Sequence, residues 1–285
     1  MHLNKVYSLV YSRAMGVQKS GKLRHAPLLY TLAMLRFENQ QIGSEQSSKI
    51  RAELEKEFPR FDDHKIKAVR TQLADEVSIE SEEITEYHGE NLERTSGFLL
   101  RNDGLFFHTI DYVKYEAFEK SLKKVLRIVH KVLKFEYYQA VGIRYIDYIR
   151  LGSLDAIDDY VQKGLLGFPI NNRDMKATQT VCETIAERGE FAIRLRCSKV
   201  PGRVFPIPVD LQPLTRHLDV MAKLPPKPPD EDVILLDTDC FHKQLELREF
   251  DLTATLEKFD EMHNIASSVF KAAVTGDAWK EWKGE

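Results

Sequence analysis

The chain is expected to fold as an α+β protein in which antiparallel sheets carry packed helices. Three observations lead there. Runs of alternating or continuous apolar residues bounded by turn signals recur along its 285 residues, as strands require. Two stretches, Glu116–Lys134 and the one carrying Leu256, Phe259, Met262, Ile265, Ala266, Val269 and Phe270, repeat their apolar residues at the helical period. Asn102-Asp103-Gly104 links two apolar runs directly, a strong hairpin signal.

Taken in order, residues 1–25 form a basic N-terminal extension. KVYSLVY within it has the alternation of an edge strand, followed by a Gly/Lys/Ser loop. PLLYTLAMLRF is a mostly apolar run and therefore a strand buried on both faces. Ser44 is placed as the N-cap of a helix carrying Ile50, Leu54 and Phe58 and stopped by Pro59. A second short helix is expected from Asp63, with Ile66, Val69 and Leu73 on one side. Asp75 to Glu93 holds eight acidic residues and no Lys or Arg, the composition of a solvated loop or edge. The hairpin, the Glu116–Lys134 helix and the strand VGIRYIDYIRL, Val141–Leu151, complete a first lobe over 26–151. Its order, β-α-β-β-α-β, is that of a ferredoxin-like unit.

The second lobe, 152–285, is expected to be β-rich with a long C-terminal helix, in a sheet of its own or one shared with the first lobe. Ser153 caps a short helix ending at Gly164, and Thr178–Glu187 with Phe191–Ser198 form a hairpin around Arg188-Gly189-Glu190. Phe205–Leu211 contains Pro206 and Pro208 and suits an edge strand at best. Pro225–Pro229 is a stiff connector. Strands at Val233–Phe241 and Lys243–Phe250 precede the helix, and Gly276 stops it.

Composition bounds the function. The chain is 43% hydrophobic and 30% charged with a net charge of −3, so no global field recruits nucleic acid or acidic lipid. Cys182, Cys197 and Cys240 are far apart in sequence, which argues against a disulfide framework or a cysteine zinc site and fits a reducing compartment. The most apolar run, Pro27–Leu35, is nine residues long, too short to span a bilayer. Ser8, Ser12 and Arg13 interrupt any signal-like core. The expectation is a soluble cytoplasmic protein without membrane association.

Few motifs carry chemistry. GVQKSGKL, Gly16–Leu23, has Leu23 where a P-loop needs Ser or Thr for magnesium, and Pro27 breaks the helix that would hold the phosphates. In DTDCFH, Asp237 and Asp239 share a strand face that His242 does not. Those two acids support only a weak reading as a metal-dependent hydrolase. Asp62-Asp63-His64 is read as a helix start, and Asp260 with His263 as a packing pair. H-E-x-x-H, G-x-S-x-G and C-x-x-C are absent. No catalytic residue, metal ligand or cofactor is assigned.

Two patterns bear on binding. Lys120, Lys124, Arg127, Lys131 and Lys134 make a basic stripe along the helix, about 20 Å long by the helical rise. It suits a nucleic-acid backbone, an acidic partner or simply water. Arg36, Arg144, Arg194, Arg196, Glu246 and Arg248 lie on separate strands. If their faces met, guanidinium forks would line a groove for phosphate or carboxylate; if they did not, cross-strand ion pairs on a solvated sheet would account for them.

The chain resembles a sporadically distributed family of uncharacterised bacterial proteins of about this size. The resemblance rests on Ala26-Pro27-Leu28, Leu35-Arg36-Phe37, Phe58-Pro59, Gly142-Ile143-Arg144-Tyr145-Ile146-Asp147, and Leu256 with His263 and Phe270, in that order. The family usually carries Asn where Asp147 stands. The likeness implies no activity; it offers Arg36, Arg144 and His263 as members of a polar network or a ligand contact, and its patchy distribution is like that of defence or toxin–antitoxin genes. The leading expectation is therefore a binding protein without catalysis of its own, acting on a protein partner or a second copy. The alternative is a binder or processor of phosphate-bearing ligands, nucleotide or RNA.

Overall fold

Ten strands join in one antiparallel sheet in the computed structural model, which describes residues 23–73, 77–168, 170, 175, 177–224 and 230–285, with side chains outside 68–82. The N-terminal strand, most of the Gly16–Leu23 loop and the Pro225–Pro229 connector lie outside the described residues. The strands are β1 (Leu28–Phe37), β2 (Arg60–Leu73), β3 (Val77–Glu90), β4 (Ser96–Arg101), β5 (Gly104–Thr109), β6 (Tyr137–Ile149), β7 (Thr180–Arg188), β8 (Phe191–Pro201), β9 (Asp232–His242) and β10 (Arg248–Glu249). Their order is β2-β3-β4-β5-β1-β6-β9-β8-β7, with β10 on β6. The sheet is continuous across the expected lobe boundary, because β6 pairs with β9 from Gly142↔Phe241 to Ile149↔Ile234.

The fold is α+β, with five helices among the described residues: α1 (Ser44–Leu54), α2 (Tyr115–Leu133), the one-turn α3 (Gln212–Thr215), α4 (Leu252–Ala273) and α5 (Gly276–Lys283). No helix among the described residues is long and apolar enough to cross a membrane. One face of the sheet presents Ala33, Leu35, Phe107, Val141 and Ile143 to the apolar sides of α1, α2 and α4. The opposite face presents Tyr30, Leu32, Leu99 and Ile146, and the 205–224 segment covers them with Ile207, Leu211, Leu214, Leu218 and Val220. β1 is buried on both faces because it lies mid-sheet between β5 and β6.

Several sequence expectations are corrected. The helix from Asp63 is the strand β2, and the acidic run is the strand β3, paired from Arg60↔Glu90 to Leu73↔Val77. Cations across the ladder make this possible: Lys67 stands opposite Glu83 and Lys65 Nζ reaches Glu83 at 2.8 Å, so the carboxylates are not left to repel one another. Ser44 is the first residue of α1 rather than its cap, the position of Gly43, and Gln46 Oε1 accepts from the Gly43 N–H at 3.2 Å. Ser153–Gly164 forms 3-10 turns rather than an α-helix, and Phe205–Leu211 forms turns rather than a strand. Only Arg248–Glu249 of the expected 243–250 strand pairs. Gly276 opens α5, capped by Thr275 Oγ1, which accepts from the Ala278 N–H at 3.1 Å.

Asp147 is buried on β6, and burial with the nearby Asp237 pushes its carboxyl up to about 8. The folded state then keeps a proton that the unfolded chain loses near its ordinary value of 3.8. Stability therefore falls as pH rises through that window. Asp147→Asn should flatten this slope. At pH 8 it should gain on the order of 2 kcal/mol or more, with little change at pH 4, as read by urea denaturation.

Candidate metal centre

β2 and β3 set the first half of the site. The register puts Asp62 opposite His88, His64 opposite Glu86 and Arg60 opposite Glu90. Alternation then aims Asp62, His64, Glu86, His88 and Glu90 to one side of the sheet. Gly89 separates His88 from Glu90 because a Cβ there would lie 2.4 Å from the Phe98 ring on the helix side. Gly97 stands across from Glu90, where a Cβ would meet the Gly89 carbonyl at 2.6 Å and Glu90 Cγ at 3.3 Å. Two glycines thus let the strands close around a buried acid.

The second half arrives from above. Just past α3, Leu214 and Leu218 anchor the covering segment in the apolar cluster, and Arg216 and His217 between them reach the polar residues of β3. The His217 ring lies 4.1 Å from that of His88 and stacks at 5.0 Å on that of His64. His88, Glu90 and His217 each offer a ligand atom, all within 4.8 Å of one another. The His64 Nε2 is buried without a hydrogen-bond partner, and its ring lies 5.4 Å from that of His88, outside the set of three.

Beside them lies Glu86, buried and surrounded by donors. Arg101 donates to its Oε1 through Nε at 2.8 Å and through Nη2; Arg216 Nη2 donates to Oε2 at 2.6 Å; His88 Nε2 is 3.3 Å from Oε2. Arg216 Nε also donates to His217 Nε2 at 3.0 Å. Burial opposes ionisation of Glu86, but His88 and Arg101 outweigh it and hold the carboxyl down at about 2. Burial, then neighbouring Asp62, pushes Glu90 up to about 7. Burial, then His88 and Arg216, pushes His217 down to about 4, and burial likewise lowers His88. The His88 and His217 imidazoles are therefore neutral at pH 7, the form that ligates metal. His108 is the buried neighbour, pushed down to about 3 by burial and hydrogen-bonded through Nδ1 to the Tyr30 hydroxyl at 3.1 Å.

The residues singled out from sequence fall elsewhere. Arg144, Arg194 and Arg196 do share a face, in rows Arg144–Asp239–Arg194 and Ile146–Asp237–Arg196 across β6, β9 and β8. Each is met by a carboxylate. Arg144 forks onto Asp237 at 2.8 and 2.7 Å and also bonds Asp210, Arg194 Nη2 reaches Asp239 at 2.7 Å, and Arg196 Nε reaches Glu183 at 2.8 Å. Asp237 and Asp239, the acids of the hydrolase reading, are committed to these pairs. Arg36 lies apart, 3.3 Å from Asp103, and Arg248 bonds Glu246 at 3.2 Å and the Gln139 carbonyl at 3.0 Å. On α2, Lys124 pairs with Glu57 and Lys131 with Glu53 at 2.8 Å, both partners coming from α1 and the turn after it. Lys120, Arg127 and Lys134 are exposed. His263 meets the Tyr145 hydroxyl at 2.8 Å and stacks on Tyr115, so two of the short signatures touch.

His64, His88, Glu90 and His217 were not selected from sequence. The available signal was the period-two repeat Asp62-x-His64 and His88-x-Glu90, which reads as chemistry only once both runs are strands. No protein-family model matches the chain, and no curated protein matches it.

Burial decides what each ion pair is worth. Arg144→Leu leaves Asp237 buried without its partner and should cost about 3–5 kcal/mol. Arg36→Ala, at a pair that is more than a third exposed on both sides, should cost less than about 1 kcal/mol. Denaturant titration of the two variants checks the contrast.

Proposed function

We propose that this is a binding protein organised around a first-row divalent transition-metal ion, held by His88, Glu90 and His217. The observation that carries the reading is the convergence of His88 and Glu90 on β3 with His217 of the covering segment. A tetrahedral ion wants donors at about 2.0–2.2 Å, so the set closes by rotation of a few side chains. Nitrogen-rich donors favour zinc-like ions over magnesium or calcium. Three protein ligands leave a coordination position for an outside group. Glu86 lies against His88, the kind of outer partner that orients a ligating imidazole.

The fold supports a companion reading of the first half as a split β-α-β unit of ferredoxin type. Its order β4-β5-β1-β6, wholly antiparallel, with α1 after β1 and α2 after β5, suits that topology. The β2–β3 hairpin is then an insertion that brings the histidine face.

Chelator-stripped protein titrated calorimetrically with zinc or cobalt(II) should bind one equivalent, and magnesium should not compete. His88→Ala and His217→Ala should each weaken binding at least about tenfold, whereas Asp103→Ala should not. Because the ion ties the covering segment to β3, metal should also slow proteolysis within residues 202–224. Equal affinity in the histidine variants and the parent would remove the reading.

A further inference from the structure

We infer that the ion's outer coordination position takes a phosphate-type oxyanion, gripped on its other side by Arg216. The inference rests on the metal reading above and adds the class of ligand. Two guanidiniums, Arg101 and Arg216, converge on the single carboxylate of Glu86. A guanidinium carries five N–H donors. Arg216 commits Nη2 to Glu86 and Nε to His217, and its side chain is 40% exposed. Nη1 makes no hydrogen bond among the described residues, and Nη2 lies 3.5 Å from His88 Nε2, so the guanidinium borders the donor set. An anion bound to the ion would meet it without any rearrangement of the backbone.

Charge fixes the kind of anion. As ligands the imidazoles are uncharged and Glu90 is a carboxylate, so Glu86 and Glu90 balance Arg101 and Arg216. Asp62 is more than offset by Arg60 and Arg94, which also act on Glu90. A divalent ion therefore leaves the site positive by about two charges or more. A phosphate monoester carries about −1.5 to −2 near pH 7 and matches that surplus, whereas a carboxylate neutralises only half of it. Fork-like guanidinium donors also suit phosphate geometry. The arginines of β6 and β8 differ in stoichiometry: Arg144, Arg194 and Arg196 are met by Asp237, Asp239 and Glu183 with Asp210 besides, whereas Arg101 and Arg216 share one carboxylate.

The test uses the full chain loaded with cobalt(II), whose visible absorption reports its ligands. Inorganic phosphate, methyl phosphate and acetate are titrated separately, with calorimetry alongside. The expected result is a spectral change with both phosphates and affinity at least tenfold above that for acetate. Arg216→Gln should keep cobalt and lose at least tenfold in phosphate affinity. Binding of inorganic phosphate without methyl phosphate identifies the free ion as ligand; binding of both identifies an ester. Cobalt uptake with no anion effect, acetate as tight as phosphate, or unchanged phosphate affinity in Arg216→Gln overturns the inference while leaving the metal reading in place. Failure to take up cobalt removes both.

Discussion

The buried fork between Arg144 and Asp237 is the contact on which the second face of the sheet depends. A guanidinium removed from water is tolerable only when its charge is met and its donors are used. Asp237 meets it from the next strand, and Asp210 meets it from the segment above. That second pairing turns an internal strand contact into a clamp on the 205–224 segment. The apolar side chains around Ile207 to Val220 complete the attachment. The same segment carries Asp210 to Arg144 and His217 to His88, so the two contacts share one cover.

The two faces of the sheet divide their work accordingly. The helix side is an apolar core of ordinary kind, built from α1, α2 and α4 against alternate strand residues. The other side mixes apolar and ionisable groups under a thin irregular cover. Burial pushes the imidazoles of His88 and His217 down, and its key acids are split, Glu86 held ionised by His88 and Arg101 and Glu90 pushed toward its neutral form. Such divergence between neighbouring carboxyls is what acid–base or ligand chemistry uses, and buried ion-pair networks produce it as well. The arginines of β6 and β8 show the contrasting case, where each cation is balanced locally by a carboxylate.

What could be read from sequence follows the strength of each local pattern. β1, the Asn102-Asp103 hairpin, α2, β6, the β7–β8 hairpin, β9 and α4 were legible because each carries an uninterrupted period or an unmistakable turn. β2 and β3 were not. Ile66, Val69 and Leu73 mimic helical spacing, and the acids of β3 look solvated until Lys65 and Lys67 are seen across the ladder. The arginines were noticed for the right chemical reason, but a sequence shows a cation and not the carboxylate that neutralises it. The histidine cluster was hidden more deeply, since no local window contains both His88 and His217.

That separation has a consequence for how the protein is made. Arg216 and His88 are 128 residues apart in the chain. At a synthesis rate of roughly 5–20 residues per second, the hairpin bearing His88 and Glu90 leaves the ribosome on the order of ten seconds before its cover. During that interval His88 and Glu90 stand without their cover, beside a sheet still lacking β7, β8 and β9. Any ion captured then would be held by the hairpin alone, and the arrival of His217 would convert a loose early complex into a closed one.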